Sequence, residues 1–425
     1  MTIKEDFLYY IWQQGNLQQK IIKTTKNEAV TIISLGTRNL HAGPDFFNAK
    51  IRIGEQLWAG NVEMHIQSGH WFVHHHENDT NYDNVILHVV WEHDVDIYRK
   101  DNTVIPTLVL QNYTDTSMLK RYQKLMNTSR KWIRCEADFP VLSNFQLENW
   151  LERLYIERLE EKASIINRLV KNSNYHWEAV LFQLLAKGFG LKLNSDAFFE
   201  AASSVDFTVI RKISADQFSL EAFLSGIFGL LSLENVQDTY YHSQLREYKY
   251  LCHKFQLQSI KKQTLHFYGT RPANFPTIRT SQLATLYYNE QNLFSKIMTS
   301  ASVEKLYEIF QVATSVFWET HYTYDKMSPQ RIKKVSKKFI DVLLINSVIP
   351  LKYCYDKYFG KLAVDDLLAM LRTITPENNA IIQKFAQKKI QINTALHTQA
   401  LLELKKNYCN QERCLQCAIG NMLVK

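Results

Sequence analysis

No run of apolar residues in this 425-residue chain approaches the roughly 18 to 20 that a helix needs to span a bilayer. A helical membrane anchor is therefore not expected. A secretory leader is not expected either, since Glu5 and Asp6 fall where such a leader would be basic and then apolar, and the expected location is cytoplasmic. Cysteine is scarce: Cys135, Cys252, Cys354, Cys409, Cys414 and Cys417 are too few and too unevenly placed for the disulfide framework of a secreted protein. No clean repeat period runs through the helical stretches.

What is present is enough apolar material, 46% of residues, for a large core, in a length that suits two or three domains. Charge is unevenly placed. Through Tyr113 there are 9 Lys/Arg against 13 Asp/Glu, a net of −4, which leaves 41 against 29, or +12, for the remainder. An acidic segment suits cations and a basic one suits polyanions, although an ordinary solvated surface accounts for the same balance.

Residues 2–14 read as an opening helix, with Thr2 and Glu5 as a capping box and a stripe of Phe7, Leu8, Ile11 and Trp12. Residues 29–35 form a β-branched strand that stops at Gly36. Residues 46–53 and 57–66 form a hairpin joined by Gly54, Glu55 and Gln56. Residues 85–91, nearly all apolar, suit a strand buried on both faces, and Pro106 makes residues 104–110 an edge strand. From Thr114 onward helical periodicity takes over. The expected fold is α+β: a mixed-sheet domain over residues 1–113, then a larger, mostly α-helical region over residues 114–425.

The hairpin carries the chemistry. Strand parity turns Asn61, Glu63 and His65 to one face, away from Trp58, Val62, Met64 and Ile66. A three-residue turn would pair Ile53 with Leu57, setting Asp45 across from His65 and diagonal to Glu63. Two carboxylates pushed together beside an imidazole suit a divalent cation such as Mg2+ or Mn2+, with His65 as a base or a further ligand. The structural alternative has Asp45 capping a turn and Glu63 paired with a histidine or Arg52. Eight of the fourteen histidines lie from His41 to His93. Ser68 can cap a short helix on which His70 and His74 share a face, so a Zn2+ hydrolase built on His65 with His70, His74 or His88 is a further reading. The run His74-His75-His76 reads first as a solvated loop.

Two constellations stand apart from the hairpin. Cys409-x4-Cys414-x2-Cys417 has ligand spacing for Zn2+ or an iron-sulfur cluster, with Cys135 the first choice for a fourth ligand; helix-packing thiols are the alternative. Arg271 and Arg279 flank a Pro-stiffened loop that either contacts an anion or docks one helical layer on another.

Pro44-Asp45 followed by Glu63-x-His65 on the next strand, after a helix and a strand, resembles the core of the PD-(D/E)XK nuclease superfamily. The resemblance implies a restriction-endonuclease-like domain in which Asp45, Glu63 and the Met64 carbonyl bind metal and Glu5 is the acidic residue of the first helix. His65 stands where that superfamily has Lys. Over the whole chain, G-P-D-F-F-N-A-K-I, W-A-G-N-V-E-M-H, Y-D-N-V-I-L-H-V-V and C-L-Q-C-A-I-G also resemble a family of uncharacterised bacterial proteins. The expected function is a metal-dependent phosphodiesterase on DNA or RNA, with Asn61, His74 and His88 as accessory residues. A catalytically inactive nucleic-acid-binding or scaffolding protein is the alternative.

Overall fold

The computed structural model describes residues 3–14, 17, 20–127, 132–140, 142–257, 264–388 and 390–425. The capping box expected from Thr2 lies outside them. The fold is α+β, a mixed sheet with its helices followed by a mostly helical region. The chain forms two compact units, Met1–Leu142 with Lys405–Lys425, and Ser143–Leu404. Sequence patterning sets a break at Tyr113; the first unit instead continues through helix α3 (Thr116–Asn127) and regains the last segment of the chain. The reason is burial: Tyr122, Leu125, Leu415 and Val424 share one apolar core with the sheet.

In that unit α1 (Glu5–Gln14) lays Phe7, Leu8, Ile11 and Trp12 into the core, and the Trp12 indole N–H donates to the Leu35 carbonyl at 3.1 Å. The strands are β1 (Ile22–Lys23), β2 (Ala29–Ser34), β3 (Thr37–Arg38), β4 (Phe46–Ile53), β5 (Gln56–Gln67), β6 (Val85–Glu92) and β7 (Thr107–Val109). They form one seven-stranded sheet in the order β1-β2-β4-β5-β6-β7, with β3 also on β4. Pairing is antiparallel up to β5 and parallel from β5 to β7. β6 is buried on both faces through Trp91, as its unbroken apolar run requires, and β7 is the edge strand beyond Pro106.

The hairpin register differs from the sequence expectation twice, and the two differences together return Asp45 to the expected face. The turn has two residues, with Gly54 at φ 58, so Ile53 pairs with Gln56 and Ala49 with Gly60. That register alone would put Asp45 on the opposite face from Glu63. A bulge between Phe46 and Ala49, with Asn48 at φ 58, inserts one residue and pairs Phe46 with Val62. Asp45 thus lies beyond the last pair, opposite Glu63 rather than His65.

The second unit begins at α4 (Asn144–Asn172), whose Ser143 cap makes a reciprocal capping box with Gln146. The expected Pro-stiffened loop at residues 271–279 ends early, because Pro276 opens a helix, Pro276–Asn289, buried along most of its length. The Arg279 guanidinium lies 3.7 Å from the Phe339 ring centre and donates to Gln282 and Asn274, while Arg271 is exposed. Arg279 therefore docks helix on helix. Residues 377–407, apolar at helical spacing, do not form one helix but carry Ala380–Ala386 and Ala395–Glu403.

Candidate metal centre

The bulge and the parallel β5–β6 pairing assemble the site. Glu63 lies opposite Asp45 on one side and beside His88 on the other. The Asp45 N–H donates to Glu63 Oε2 at 3.1 Å, and the Met64 N–H donates to Asp45 Oδ2 at 2.9 Å, so the two carboxyl groups are cross-tied by the backbone. Glu63 Oε1 is left facing His65 Nε2 at 3.6 Å and His76 Nε2 at 3.5 Å.

His65 is sealed, at 2% exposure, with both ring nitrogens engaged: Nδ1 is 2.8 Å from His88 Nε2 and Nε2 is 3.1 Å from His74 Nδ1. When His65 donates its Nδ1 proton to His88, its Nε2 lone pair points at His74 and Glu63. One ligand atom each from His65, His74 and His76 lie within 4.8 Å of one another, the spacing of donors around one ion. A left-handed turn at His75, φ 59, sends the His75 ring to solvent, while His74, itself exposed, reaches His65 and half-buried His76 reaches Glu63. The expectation of a solvated triple histidine therefore holds for the exposed His74 and His75 and fails for His76.

Burial sets the charge state of these groups. Burial and then the neighbouring Asp45 charge push the Glu63 carboxyl up to about 9, and burial pushes Asp45 up to about 6 against the pull of its Tyr9 and Met64 hydrogen bonds. Burial, with His88, His76, His74 and His70 around it, holds His65 down at about 2, a neutral donor at neutral pH. Glu5 is raised by burial and drawn back by His70 and His76, so it reaches the site from α1.

Two further expected residues have other work. Asn61 Oδ1 accepts the Asn48 N–H at 3.3 Å and so closes the bulge. Ser68 caps no helix: α2 (His70–Val73) begins after Gly69, and the Ser68 hydroxyl donates to Asp94 at 2.8 Å. His88, expected as an accessory group, sits wholly buried behind His65 and orients it.

The sequence pattern put His76 in a solvated loop and did not single out Tyr9, Tyr82 or Arg38. Tyr9 lies one helical turn after Glu5 and hydrogen-bonds Asp45, a spacing that was visible in the sequence. Arg38 lies 4.5 Å over the Tyr9 ring, and Tyr82 stacks on His76 at 3.8 Å. His76 and Tyr82 also line a cleft of about 210 Å³ with Trp71, Glu77, Arg99 and Lys100, in which Lys100 is paired with Asp83 at 2.9 Å.

A family model described as a protein of unknown function (DUF2851) matches residues 5–380. No curated protein and no solved structure matches the chain. Among the described residues no helix is long and apolar enough to cross a membrane.

Proposed function

The chain belongs to the DUF2851 family, whose function is unknown, and from that premise we propose that it is a divalent-metal-dependent phosphodiesterase acting on DNA or RNA. One observation carries this reading: imidazole donors of His65, His74 and His76 lie within 4.8 Å of one another, and two of these rings, His65 and His76, face Glu63 Oε1, on a carboxyl that burial and the Asp45 charge keep protonated at neutral pH. A divalent ion there supplies Lewis-acid polarisation of a phosphate oxygen and acidifies the attacking water.

The residues divide the work as follows. Glu63, His65, His74 and His76 would hold the ion, with Asp45 and the Met64 carbonyl as further oxygen donors. His65 is a ligand rather than a base, because it is sealed and both its nitrogens are engaged. His70, half-buried and in the field of Glu5, takes the proton from the attacking water. Arg38 neutralises the phosphate. The donor set shifts the choice of ion: imidazole suits Mn2+ or Zn2+ better than Mg2+, which prefers oxygen. The basic remainder of the chain holds the nucleic-acid backbone by counterion release.

The test is cleavage of single- and double-stranded DNA and RNA by metal-depleted protein resupplied with Mn2+, Zn2+ or Mg2+. Activity with Mn2+ or Zn2+ that disappears in Asp45→Ala, Glu63→Ala and His74→Ala, and survives in His75→Ala, is the expected result. Burial of Glu63 and His65, at 5% and 2% exposure, favours a second reading in which the ion is structural and the protein only binds or scaffolds nucleic acid. Metal retained by the wild type without cleavage of any of these substrates selects it. Zinc kept in Asp45→Ala but lost in His74→Ala assigns the ion to the histidines alone.

A further inference from the structure

We propose that Cys135, Cys409, Cys414 and Cys417 bind an iron-sulfur cluster that joins the two chain segments of the first unit. The placement comes first. The chain leaves this unit at Leu142, shortly after Cys135, and re-enters at Lys405, shortly before Cys409. Cys135 and Cys414 pack against the same apolar core, which Leu415 and Val424 also enter, and none of the four is in a disulfide. Arg134, next to Cys135, pairs with Glu412 at 2.7 Å, which brings the two segments together beside the thiols.

The local backbone is built around the sulfurs. Glu412 takes a left-handed φ of 56, and the turn Cys414–Gln416 closes with the Cys417 N–H on the Cys414 carbonyl at 3.2 Å. The helix Ala418–Val424 then sits so near that turn that a Cβ at Gly420 would meet the Cys414 carbonyl oxygen at 2.1 Å, so only glycine fits.

The four thiols lie in one electrostatic neighbourhood, since Cys417, Cys135 and Cys414 each act on Cys409. Lys405 lies beside Cys409, and Arg134, paired with Glu412, lies beside Cys414. Yet among the described residues the group of three His, Cys, Asp or Glu donors within 4.8 Å of one another is the histidine one. Four sulfurs around a single zinc, at about 2.3 Å from it, would stand closer than this. A cluster with several irons takes a wider set.

The experiment uses the full chain, purified anaerobically and, separately, reconstituted with ferrous iron and sulfide. The expected result is a brown protein holding iron and acid-labile sulfide in equal amounts, about two to about four of each per chain. Cys135→Ala and Cys414→Ala are expected to lose most of that iron, whereas Cys252→Ser and Cys354→Ser, in the other unit, keep it. Glu63→Ala also keeps it, which separates this site from the proposed hydrolytic one. One zinc per chain without sulfide, or metal-free wild-type protein with reactive thiols after reconstitution, overturns the proposal. Wild-type metal and sulfide content decides the matter even if a cysteine variant fails to fold.

Discussion

At Glu63 the hydrogen bonds decide which oxygen is spare: Oε2 accepts the Asp45 N–H, and Oε1 turns to His65 and His76. Without a cation this carboxyl keeps its proton, because burial and the Asp45 charge raise it from 4.5 to about 9. The sign for stability follows. A group whose folded value lies above its unfolded value stabilises fully below the unfolded value, and that contribution is lost as pH rises towards the folded one. Buried neutral histidines, His65 and His88, act in the opposite sense below their ordinary value of 6.5, so metal-free wild type is expected to lose stability from pH 6.5 to pH 8. Glu63→Gln, which keeps the neutral shape, is expected to flatten that slope and raise Tm at pH 8 by about 2–4 °C per kcal/mol recovered. Added Mn2+ or Zn2+ should reverse the order, stabilising the wild type and leaving the variant unmoved. Thermal melts at both pH values, with and without metal, check both statements; parallel melting curves would remove the buried-carboxyl account.

One element, the bulge in β4, sets the position of the other carboxylate. Its left-handed residue is Asn48, whose short polar side chain tolerates φ 58, and Asn61 satisfies its N–H. Asn48→Val is expected to cost about 1–2 kcal/mol in a urea melt and to weaken metal binding by misplacing Asp45, while Asn48→Gly keeps both. In the second unit α4 carries Lys162, whose ammonium donates to the Ile345 carbonyl at 3.2 Å and to Asn346 at 2.8 Å. Burial, reinforced by Arg158, lowers it from 10.5 to about 7. Between those values the unfolded chain holds the proton more tightly, so stability rises with pH there and the penalty is complete below about 7. Lys162→Met is expected to gain on the wild type at pH 6 and to lose that gain by pH 10, measured as the difference in Tm.

For the whole molecule, the consequential feature is that the first unit is closed by the far end of the chain. Val424 and Leu415 enter its core, Arg121 donates to the Val424 carbonyl at 3.1 Å, and Tyr10 donates to Asn421 at 3.2 Å. Leu415→Ala, made far from the sheet in sequence, is expected to destabilise that unit by about 2–4 kcal/mol and to lower metal occupancy at Glu63 in proportion. A destabilisation below about 0.5 kcal/mol would show that the closing segment contributes little.

Sequence alone determined the elements whose cause is local. β-branched runs made β2 and β6, the Ser143 capping box began α4, and strand parity put Glu63 and His65 on one face. It also determined the chemistry on offer, since carboxylates, histidines and cysteines were legible as residue types. Tertiary structure decided which of them meet. The two-residue turn and the bulge are one-residue events that reverse parity, and periodicity does not record them. His76 left the solvated loop for the site because one left-handed residue turned the chain, and Asn61 left the site because the bulge needed an acceptor. The joining of residues 1–142 to 405–425 was beyond local pattern altogether, because it rests on burial between segments more than 260 residues apart in the chain. Local preferences act over one turn or one strand pair, whereas a site is drawn from contacts that only the packed core brings together.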